Sequence, residues 1–315
     1  MKRDIVITMG DPLGIGPEII VKSLKSSQVQ KKTKFFILGS SSVFQNIPGF
    51  SRLCQQDDIH FLDLGSPKKS WSPKSAGEFS WKALKEATHL LKQDRAQALV
   101  TAPISKAHVQ KAGFPYPGQT EYLCEAFGVK KYAMMLFHGK LRVVLVTIHL
   151  PLRKIFLEIT TKKIMEKLEL LASSLVSDFR IRTPKIAVCG LNPHAGEEGL
   201  FGEEEKGIIL PAIRRFRKKN RSRRVQVFGP FSADVVFHKA IQGEFDAVVC
   251  HYHDQGLIPL KTTGFDCGVN MTLGLPFVRT SPDHGTAFDI AGRGLANPSS
   301  MIRAIQVAQG KYDRD

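Results

Sequence analysis

Short apolar runs that alternate with helical stretches constrain the fold of this chain more than any other feature. Several of the runs are continuously apolar, which is typical of strands covered on both faces of a sheet. The predicted strands are Ile5–Thr8, Phe35–Leu38, Ala98–Thr101, Arg142–Thr147, Lys185–Cys189, Val225–Phe228 and Ala247–Cys250. The predicted helices are Pro17–Lys25, Ser75–Lys92, Leu152–Ser177 and Glu203–Lys218. This alternation predicts an α/β fold with a largely parallel sheet.

The totals exclude several classes of protein. The 315 residues suffice for two modest domains or one large one. The longest candidate apolar run, Val143–Leu150, is far shorter than the roughly eighteen residues of a membrane helix. No hydrophobic signal-peptide core follows the first residues, so we expect a soluble cytoplasmic protein. The five cysteines are scattered and form no Cys-x-x-Cys pair, which disfavours disulfides and a cysteine zinc site.

A net charge of +16 raises the question of nucleic acid binding. The basic residues cluster once, in Arg214–Arg224, a pattern that also fits the C-terminal end of a helix followed by an exposed turn. Because no nucleic-acid-binding module accompanies the cluster, we do not expect nucleic acid as a partner. A basic surface also raises the encounter rate with anionic small molecules.

Polar turns follow several predicted strands, where ligands bind in open α/β sheets. The glycine-rich turn Met9–Glu18 leads into a helix and indicates an anion site, although it lacks the third glycine of the dinucleotide fingerprint. A purely structural turn explains it equally well. Thr101–Lys106 and Gly118–Glu121 indicate no more than turns, the former with Ser105 as a helix cap.

Histidines follow three different predicted strands. His149, His194 and the pair His251 and His253 each lie just past a strand end. Side by side in a sheet, such ends could bring three imidazoles to one divalent ion. A lone histidine is more often a satisfied surface or core residue, and no His-Glu-x-x-His spacing occurs, so both interpretations stay open. The histidines without such a setting are His60, His89, His108, His138 and His238.

The stretch from Lys261 to Gly294 is the most specific in the chain. Lys261, Asn270 and Arg279 recur at nine-residue intervals among glycines. Lysine and arginine are the usual partners of phosphate and carboxylate, which favours an anionic ligand. Surface charge near a loop is the alternative.

Five motifs follow one another along almost the whole chain, and they are Gly10–Glu18, Thr147–Leu152, Asn192–Glu197, Tyr252–Gly256 and Arg279–Ala287. In sequence and in order, these motifs resemble those of the 4-hydroxythreonine-4-phosphate dehydrogenase family of vitamin B6 synthesis. The stretch His284–Gly292 also resembles the cofactor loop of isocitrate and isopropylmalate dehydrogenases, whose fold the family shares.

The resemblance implies two α/β/α lobes with mostly parallel sheets, as in isocitrate and isopropylmalate dehydrogenases. Residues 1–117 with 266–315 would form the lobe on the cofactor side. Residues 118–265 would form the lobe with the metal site and the dimerisation surface. The resemblance also implies a homodimer with the active site at its interface and the metal shared between subunits.

The resemblance assigns roles residue by residue. The metal ligands would be His149, His194 and His253, which leaves His251 outside the motif. The substrate contacts would be Gln119, Thr120, Lys261, Asn270 and Arg279. The cofactor contacts would be Gly10, Asp11, Gly14, His284, Gly285, Thr286 and Asp289. Asp234 and Asp254 would lie near the reacting centre as catalytic groups.

The implied reaction oxidises 4-phosphooxy-L-threonine with NAD or NADP and one divalent ion, and the product decarboxylates to 3-amino-2-oxopropyl phosphate. Three imidazoles favour zinc, cobalt or nickel, whereas water and substrate oxygens could complete a magnesium shell. One residue departs from the family pattern, because Gln119 stands where the family usually has a histidine. Glutamine forms hydrogen bonds but cannot carry a proton charge.

Three alternatives remain at this point. The nearest is a sister dehydrogenase for a phosphorylated threonate or erythronate, which lacks the amino group. The others are an acyl-phosphate transferase on the same broad fold and a non-catalytic nucleic-acid-binding protein that uses Arg214–Arg224.

Overall fold

The computed structural model describes residues 3–29, 33–220, 224–264 and 266–312. Its strands are β1 (Ile5–Thr8), β2 (Phe35–Gly39), β3 (Ile59–Asp63), β4 (Ala98–Thr101), β5 (Ala133–His138), β6 (Leu141–Leu145), β7 (Lys185–Cys189), β8 (Gln226–Phe231), β9 (Ala247–Cys250), β10 (Val269–Leu273) and β11 (Val278–Pro282). Its helices are α1 (Gly16–Lys25), α2 (Ser41–Phe44), α3 (Phe50–Leu53), α4 (Pro73–Lys92), α5 (Lys106–Lys111), α6 (Gln119–Ala126), α7 (Leu152–Glu158), α8 (Thr161–Ser177), α9 (Leu210–Lys219), α10 (Ala233–Ile241), α11 (His253–Thr263) and α12 (Ser299–Ala308). Arg221, Ser222 and Arg223 of the predicted basic cluster lie outside the described residues.

Two compact units divide the chain. The first unit comprises Met1–Lys130, Val269–Met271 and Leu275–Tyr312, and the second comprises Lys131–Gly268 and Thr272–Gly274. Helix α6 therefore belongs to the first unit. The cofactor and dimerisation roles that the sequence assigned to two lobes stay predictions.

The first unit contains parallel strands in the order β3-β2-β1-β4-β11. Strand β1 pairs with β2 on one side and β4 on the other, and all residues of β1 and β4 are buried. Continuous burial explains why these strands have no alternation of polar and apolar residues. The predicted α/β class with a mostly parallel sheet is confirmed.

The second unit contains strands in the order β5-β6-β9-β7-β8. The β5–β6 pair is antiparallel, and the other pairs are parallel. Apolar side chains of the central strands pack with residues of helices α10 and α11 in one core. The ends of β6, β9 and β7 are therefore neighbours at one edge, as the argument from the histidines requires.

The predicted helix Leu152–Ser177 is wrong as a single element. Helix α7 ends at Glu158, and Ile159 has extended dihedrals. The hydroxyl of Thr160 accepts a hydrogen bond from the backbone N–H of Lys163 at 3.2 Å and so caps α8. An N-cap residue lies outside the helix that it begins, which explains the break. Among the described residues, none of the helices combines the length and the apolar character needed to cross a bilayer.

Candidate active site

Three neighbouring strands of the second unit lead to the histidines that the resemblance assigned to a metal. Strand β6 leads to His149, β7 to His194 and β9 to His253. Strand β9 lies between the other two and pairs with both. His149 and His194 are exposed and His253 is half-buried, so their rings are accessible to a ligand.

The structure brings two of these three histidines together. The ring centroids of His149 and His253 are 5.6 Å apart, with 42° between the ring planes. His194 lies instead beside Phe201, with 6.2 Å between ring centroids. Within residues 3–29, 33–220, 224–264 and 266–312, no group of three or more His, Cys, Asp and Glu side chains is arranged to hold a metal ion. The three-histidine ligand set therefore stays a prediction.

The two predicted catalytic aspartates differ in their contacts. Asp254 Oδ1 is 2.7 Å from Nδ1 of His253. A carboxylate accepts, so Nδ1 carries a hydrogen, and Nε2 is the nitrogen that is not engaged with Asp254. Asp234 accepts a hydrogen bond from the Ser232 hydroxyl, which lowers the pKa of this carboxyl, and the nearby His194 lowers it further. Both aspartates are exposed.

Lys261 lies in the same pocket as His253. This open pocket of about 400 Å³ is lined by His253, Asp254, Leu257, Ile258, Lys261 and Thr262, all on helix α11. A lysine ammonium beside an imidazole and a carboxylate fits a small anionic ligand. Ile258 is 64 % exposed, so an apolar side chain also faces solvent here.

The turn that carries His194 has an uncommon backbone. His194, Ala195, Glu197 and Glu198 all have positive φ, between 39° and 57°. Left-handed dihedrals cost non-glycine residues roughly 1–2 kcal/mol each, and such strain is concentrated at functional sites. The structure retains this turn despite that cost, which is consistent with a functional role for His194.

His251 is buried beneath the turns that carry the three histidines. Its ring Nε2 donates to the carbonyl oxygen of Cys189 at 2.7 Å, and Nδ1 has no hydrogen-bond partner among the described residues. Burial lowers the pKa of His251 from 6.5 to about 4, although its hydrogen bond to Cys189 and the charge of Glu205 act in the opposite direction. The ring is therefore neutral in the folded protein near neutral pH.

The burial of His251 predicts acid sensitivity of the fold. The unfolded chain takes up a proton at this histidine below about pH 6.5, whereas the folded chain does so only near pH 4. The free energy of unfolding should therefore fall as pH falls through this window, by roughly 3 kcal/mol from His251 alone. Urea unfolding at pH 7 and pH 4.5 should show a flatter profile for His251→Gln than for wild type. Parallel profiles would contradict the assignment.

A buried arginine is the centre of the predicted anion site in the first unit. Arg279 lies on strand β11 and is only 3 % exposed. Its Nη2 donates to Thr101 Oγ1 at 2.8 Å and its Nη1 to Thr120 Oγ1 at 3.4 Å. Burial lowers the pKa of Arg279 to about 10, while the nearby Glu121 carboxylate raises it. The guanidinium stays charged at neutral pH, and the hydroxyls of Thr101 and Thr120 accept its hydrogen bonds.

Two other predicted substrate residues lie in the first unit. The side-chain oxygen Oδ1 of Asn270 is buried and has no hydrogen-bond partner among the described residues. An unpartnered buried acceptor costs about 1–3 kcal/mol, which a ligand donor would recover. Gln119 begins helix α6, and its Nε2 is 3.5 Å from the carbonyl oxygen of Ala102, too long for a strong bond.

The predicted cofactor residues form two adjoining turns of the first unit. The N–H of Ile15 donates to the carbonyl oxygen of Thr286 at 3.0 Å. A Cβ on Gly14 would lie 2.9 Å from that oxygen, and a Cβ on Gly10 would lie 2.3 Å from the carbonyl oxygen of Pro103. Glycine is therefore required at both positions, and the loop that contains Thr286 rests directly on the Met9–Glu18 turn.

Asp11 is part of this arrangement but has no exposed surface. Its Oδ1 accepts from the N–H of Leu13 at 3.0 Å, and its Oδ2 is 2.8 Å from Nδ1 of His108. The His108 ring stacks on Phe288, with 5.1 Å between centroids. Asp11 thus anchors the turn through contacts inside the chain. Asp289, by contrast, is exposed and Gly285 has open space around it.

Several residues at these sites had no distinguishing signal in the sequence. His108 had no predicted strand before it, and Thr101 was interpreted only as part of a turn. Ser105 in that turn was predicted to cap a helix, and the structure confirms it as the N-cap of α5. Glu205 begins the π-helical turn Glu205–Ile209 that precedes α9, and Gln255 lies in the first turn of α11. Polar side chains at such positions are usually exposed. Only the structure shows that both side chains are buried.

Comparison with known proteins resolves the family. The family model described as "Pyridoxal phosphate biosynthetic protein PdxA" matches residues 15–308, nearly the full chain. The chain belongs to this family. A 4-hydroxythreonine-4-phosphate dehydrogenase of Geobacter metallireducens is 42% identical over 98% of this chain and 95% of that protein. A relative from Oceanobacillus iheyensis, 38% identical over 98% of this chain and 97% of its own length, carries the name of a D-threonate 4-phosphate dehydrogenase.

Solved structures agree with this family. The 4-hydroxythreonine-4-phosphate dehydrogenase of Klebsiella pneumoniae has a TM-score of 0.83 and 36% identity, over 97% of this chain and 98% of that one. A β-decarboxylating dehydrogenase from Thermococcus kodakarensis has a TM-score of 0.51 at 17% identity, over 97% of this chain and 81% of that one. The second likeness concerns the fold alone and agrees with the predicted α/β fold class.

Proposed function

We propose that this protein catalyses the metal-dependent, NAD-linked oxidation of 4-phosphooxy-L-threonine in vitamin B6 biosynthesis. The immediate product is a 2-amino-3-oxo acid that loses carbon dioxide to give 3-amino-2-oxopropyl phosphate. The observation that carries the proposal is the pair of imidazoles at neighbouring strand ends, His149 and His253, in a chain of this family. NADP is the alternative dinucleotide.

The residues around His253 fit a divalent ion. The hydrogen bond to Asp254 leaves Nε2 of His253 available, and a carboxylate behind an imidazole is the usual second shell of a metal ligand. We assign His149 and His253 to one ion and propose that His194 of a second copy completes the set. Zinc and cobalt suit three imidazoles, whereas magnesium would need additional oxygen ligands.

Exposed apolar side chains support the proposed homodimer. Leu152, Phe156 and Leu157 on helix α7 are 54–81 % exposed, and α7 begins three residues after His149. Leu200 and Phe201, which follow the His194 turn, are also exposed. Clusters of exposed apolar side chains mark protein interfaces. A second copy packed here would cover them next to the histidines.

The chain's own residues would supply binding, orientation and proton transfer. Lewis-acid stabilisation of negative charge on oxygen would come from the ion, and the electron acceptor would be the dinucleotide. In the first unit, Arg279, held by Thr101 and Thr120, would bind an anionic group. In the second unit, Lys261 lines the pocket that contains His253 and would bind negative charge there. Asp254 orients His253, and Asp234, Asp254 or a water molecule would accept the proton.

The substrate separates this proposal from its nearest alternative. A phosphorylated threonate lacks the amino group, and Gln119 together with the Oceanobacillus iheyensis relative keeps that alternative open. The measurement is the initial rate of NADH formation with each substrate. We expect kcat/KM for 4-phosphooxy-L-threonine to exceed kcat/KM for D-threonate 4-phosphate by at least about ten-fold. A preference for the threonate would instead establish the sister activity, and rates unaffected by a chelator would refute the metal requirement.

The Gly14 turn provides a test of the proposed cofactor site. Gly14→Ala would force the Thr286 loop away, because the added Cβ would lie 2.9 Å from its carbonyl oxygen. We expect the KM for NAD to rise about ten-fold, with a smaller change in the KM for the phosphorylated substrate. Gly207→Ala, where a Cβ has open space, is the matched control. Equal KM values for NAD in Gly14→Ala and wild type would remove this turn from the cofactor site.

A further inference from the structure

Two buried polar side chains of the second unit, Glu205 and Gln255, hold the turns that carry His194 and His253. We call this pair the polar clamp. Gln255 is 8 % exposed. Its Oε1 accepts from the backbone N–H of His251 at 2.7 Å, and its Nε2 donates to the carbonyl oxygen of Gly190 at 2.8 Å. One side chain thus joins the turn after β9 to the turn after β7.

Glu205 holds the second of these turns. It is 3 % exposed, and its Oε1 accepts from the N–H groups of Leu191 and Asn192 at 2.7 and 2.8 Å. Its Oε2 accepts from Nδ2 of Asn192 at 2.9 Å. A Cβ on Gly196 would lie 2.6 Å from the same carboxylate. The carboxylate therefore contacts the chain on both sides of His194.

The third turn is joined to the same segment through the backbone. The N–H and the hydroxyl of Thr147 both donate to the carbonyl oxygen of His251, at 3.1 and 2.7 Å. Thr147 is two residues from His149, and His251 is two residues from His253. Segment 251–255 is thus bonded to the turns of both His149 and His194.

Both side chains of the polar clamp are buried, at 3 % exposure for Glu205 and 8 % for Gln255. Burying a carboxylate or an amide is costly unless its polar atoms have partners, so the hydrogen bonds of these two side chains are needed to offset their burial. Every hydrogen bond of Gln255 and two of the three described for Glu205 go to the backbone of these turns. Backbone contacts fix the course of the chain and do not involve the rings of His194 and His253.

We propose that Glu205 and Gln255 are positioning residues that set metal affinity by fixing two turns of the chain, the one through which His253 binds one ion and the one through which His194 binds the ion of the second copy. This inference rests on the proposed function, because it presupposes that these histidines bind an ion. Neither side chain would touch the ion. Partners that act behind the ligands typically change metal affinity by about 10–100-fold, so the effect should be measurable.

Cobalt binding is the direct test, because Co²⁺ reports both affinity and ligand geometry in its visible spectrum. The full-length metal-free protein is titrated with CoCl₂ as wild type, Glu205→Gln and Gln255→Leu. We expect the dissociation constant for Co²⁺ to rise about ten-fold or more in each variant, with an altered spectrum at saturation. Glu203→Gln is the matched control, since it removes the same charge from an exposed residue two positions away.

Urea unfolding of the metal-free variants separates positioning from general loss of stability. A folded variant with a wild-type dissociation constant and spectrum would overturn the inference. If Glu205→Gln does not fold, Asn192→Ala tests the same link, because it removes one hydrogen bond of Glu205 and keeps both backbone ones. Unchanged Co²⁺ binding in Asn192→Ala and Gln255→Leu would then be decisive against it.

The two proposals fail in different ways. If His194→Ala binds Co²⁺ as wild type does, the metal site is elsewhere, and the proposed function and this inference fail together. If His194→Ala loses binding while the clamp variants keep it, only the positioning role fails.

Discussion

Replacement of His194 by alanine is expected to abolish metal-dependent turnover and to leave the fold intact. The side chain is exposed, so its loss removes little packing. A Lewis acid contributes several kcal/mol to stabilising the transition state, so kcat/KM should fall by about a thousand-fold or more. The measurement is NADH formation with Zn²⁺, Co²⁺ or Mg²⁺ added to metal-free enzyme.

The control for this variant is His238→Ala. His238 is also exposed, and its Nε2 is hydrogen-bonded to Gln242 on the same helix at 2.9 Å. Its replacement should leave both turnover and metal dependence unchanged. Undiminished NADH production by His194→Ala, with the control behaving normally, would remove His194 from the site.

Replacement of Arg279 should produce the second large effect, on substrate binding. Removing a buried, hydrogen-bonded cation from an anion site costs about 2–5 kcal/mol, so the KM for the phosphorylated substrate should rise about a hundred-fold for Arg279→Met. For Arg279→Lys we expect a KM between those of wild type and Arg279→Met. The lysine keeps the positive charge, but an ammonium cannot bond to Thr101 and Thr120 with the geometry of a guanidinium.

The exposed Arg293 provides the comparison for this experiment. Arg293→Met makes the same change of side chain without altering a buried group, and its KM should equal that of wild type. Circular dichroism and urea unfolding establish whether Arg279→Met remains folded. A folded Arg279→Met protein with an unaltered KM would show that this guanidinium does not bind substrate.

Apolar strands were the most predictable elements of the fold. The structure has strands at Ile5–Thr8, Ala98–Thr101, Lys185–Cys189 and Ala247–Cys250, with the predicted bounds. These runs are buried on both faces, so their composition directly reflects their environment. The neighbouring positions of β6, β9 and β7 depend on which strands pair, and sequence order alone does not determine that.

Strands β10 and β11 were missed because they contain polar residues. Asn270 and Arg279 lie on these strands, although their surroundings in the sequence resemble a charged loop. Arg279 is almost completely buried, since Thr101 and Thr120 accept its hydrogen bonds. Charged residues are rarely buried without partners, and those partners are distant in sequence.

The sequence predicted which residues belong to the candidate site better than it predicted how those residues are arranged in space. Three strand ends with histidines indicated the site, and the structure places His149 beside His253. The proposed third imidazole comes from a second copy of the chain. The spacing of residues in one sequence does not show how two copies associate. The contacts of Glu205 and Gln255 could not be predicted for a related reason, because all but one of their hydrogen-bond partners are backbone groups.

The division of the first unit along the chain has a consequence for synthesis. Strand β4 ends at Thr101, but its partner β11 begins only at Val278, after nearly all of the second unit. Until the ribosome has delivered β11, the nascent first unit presents β4 as an open edge, with unpaired backbone groups that invite aggregation. The second unit is almost continuous in sequence and can complete its sheet sooner. Truncation between the two units should therefore yield an insoluble N-terminal fragment.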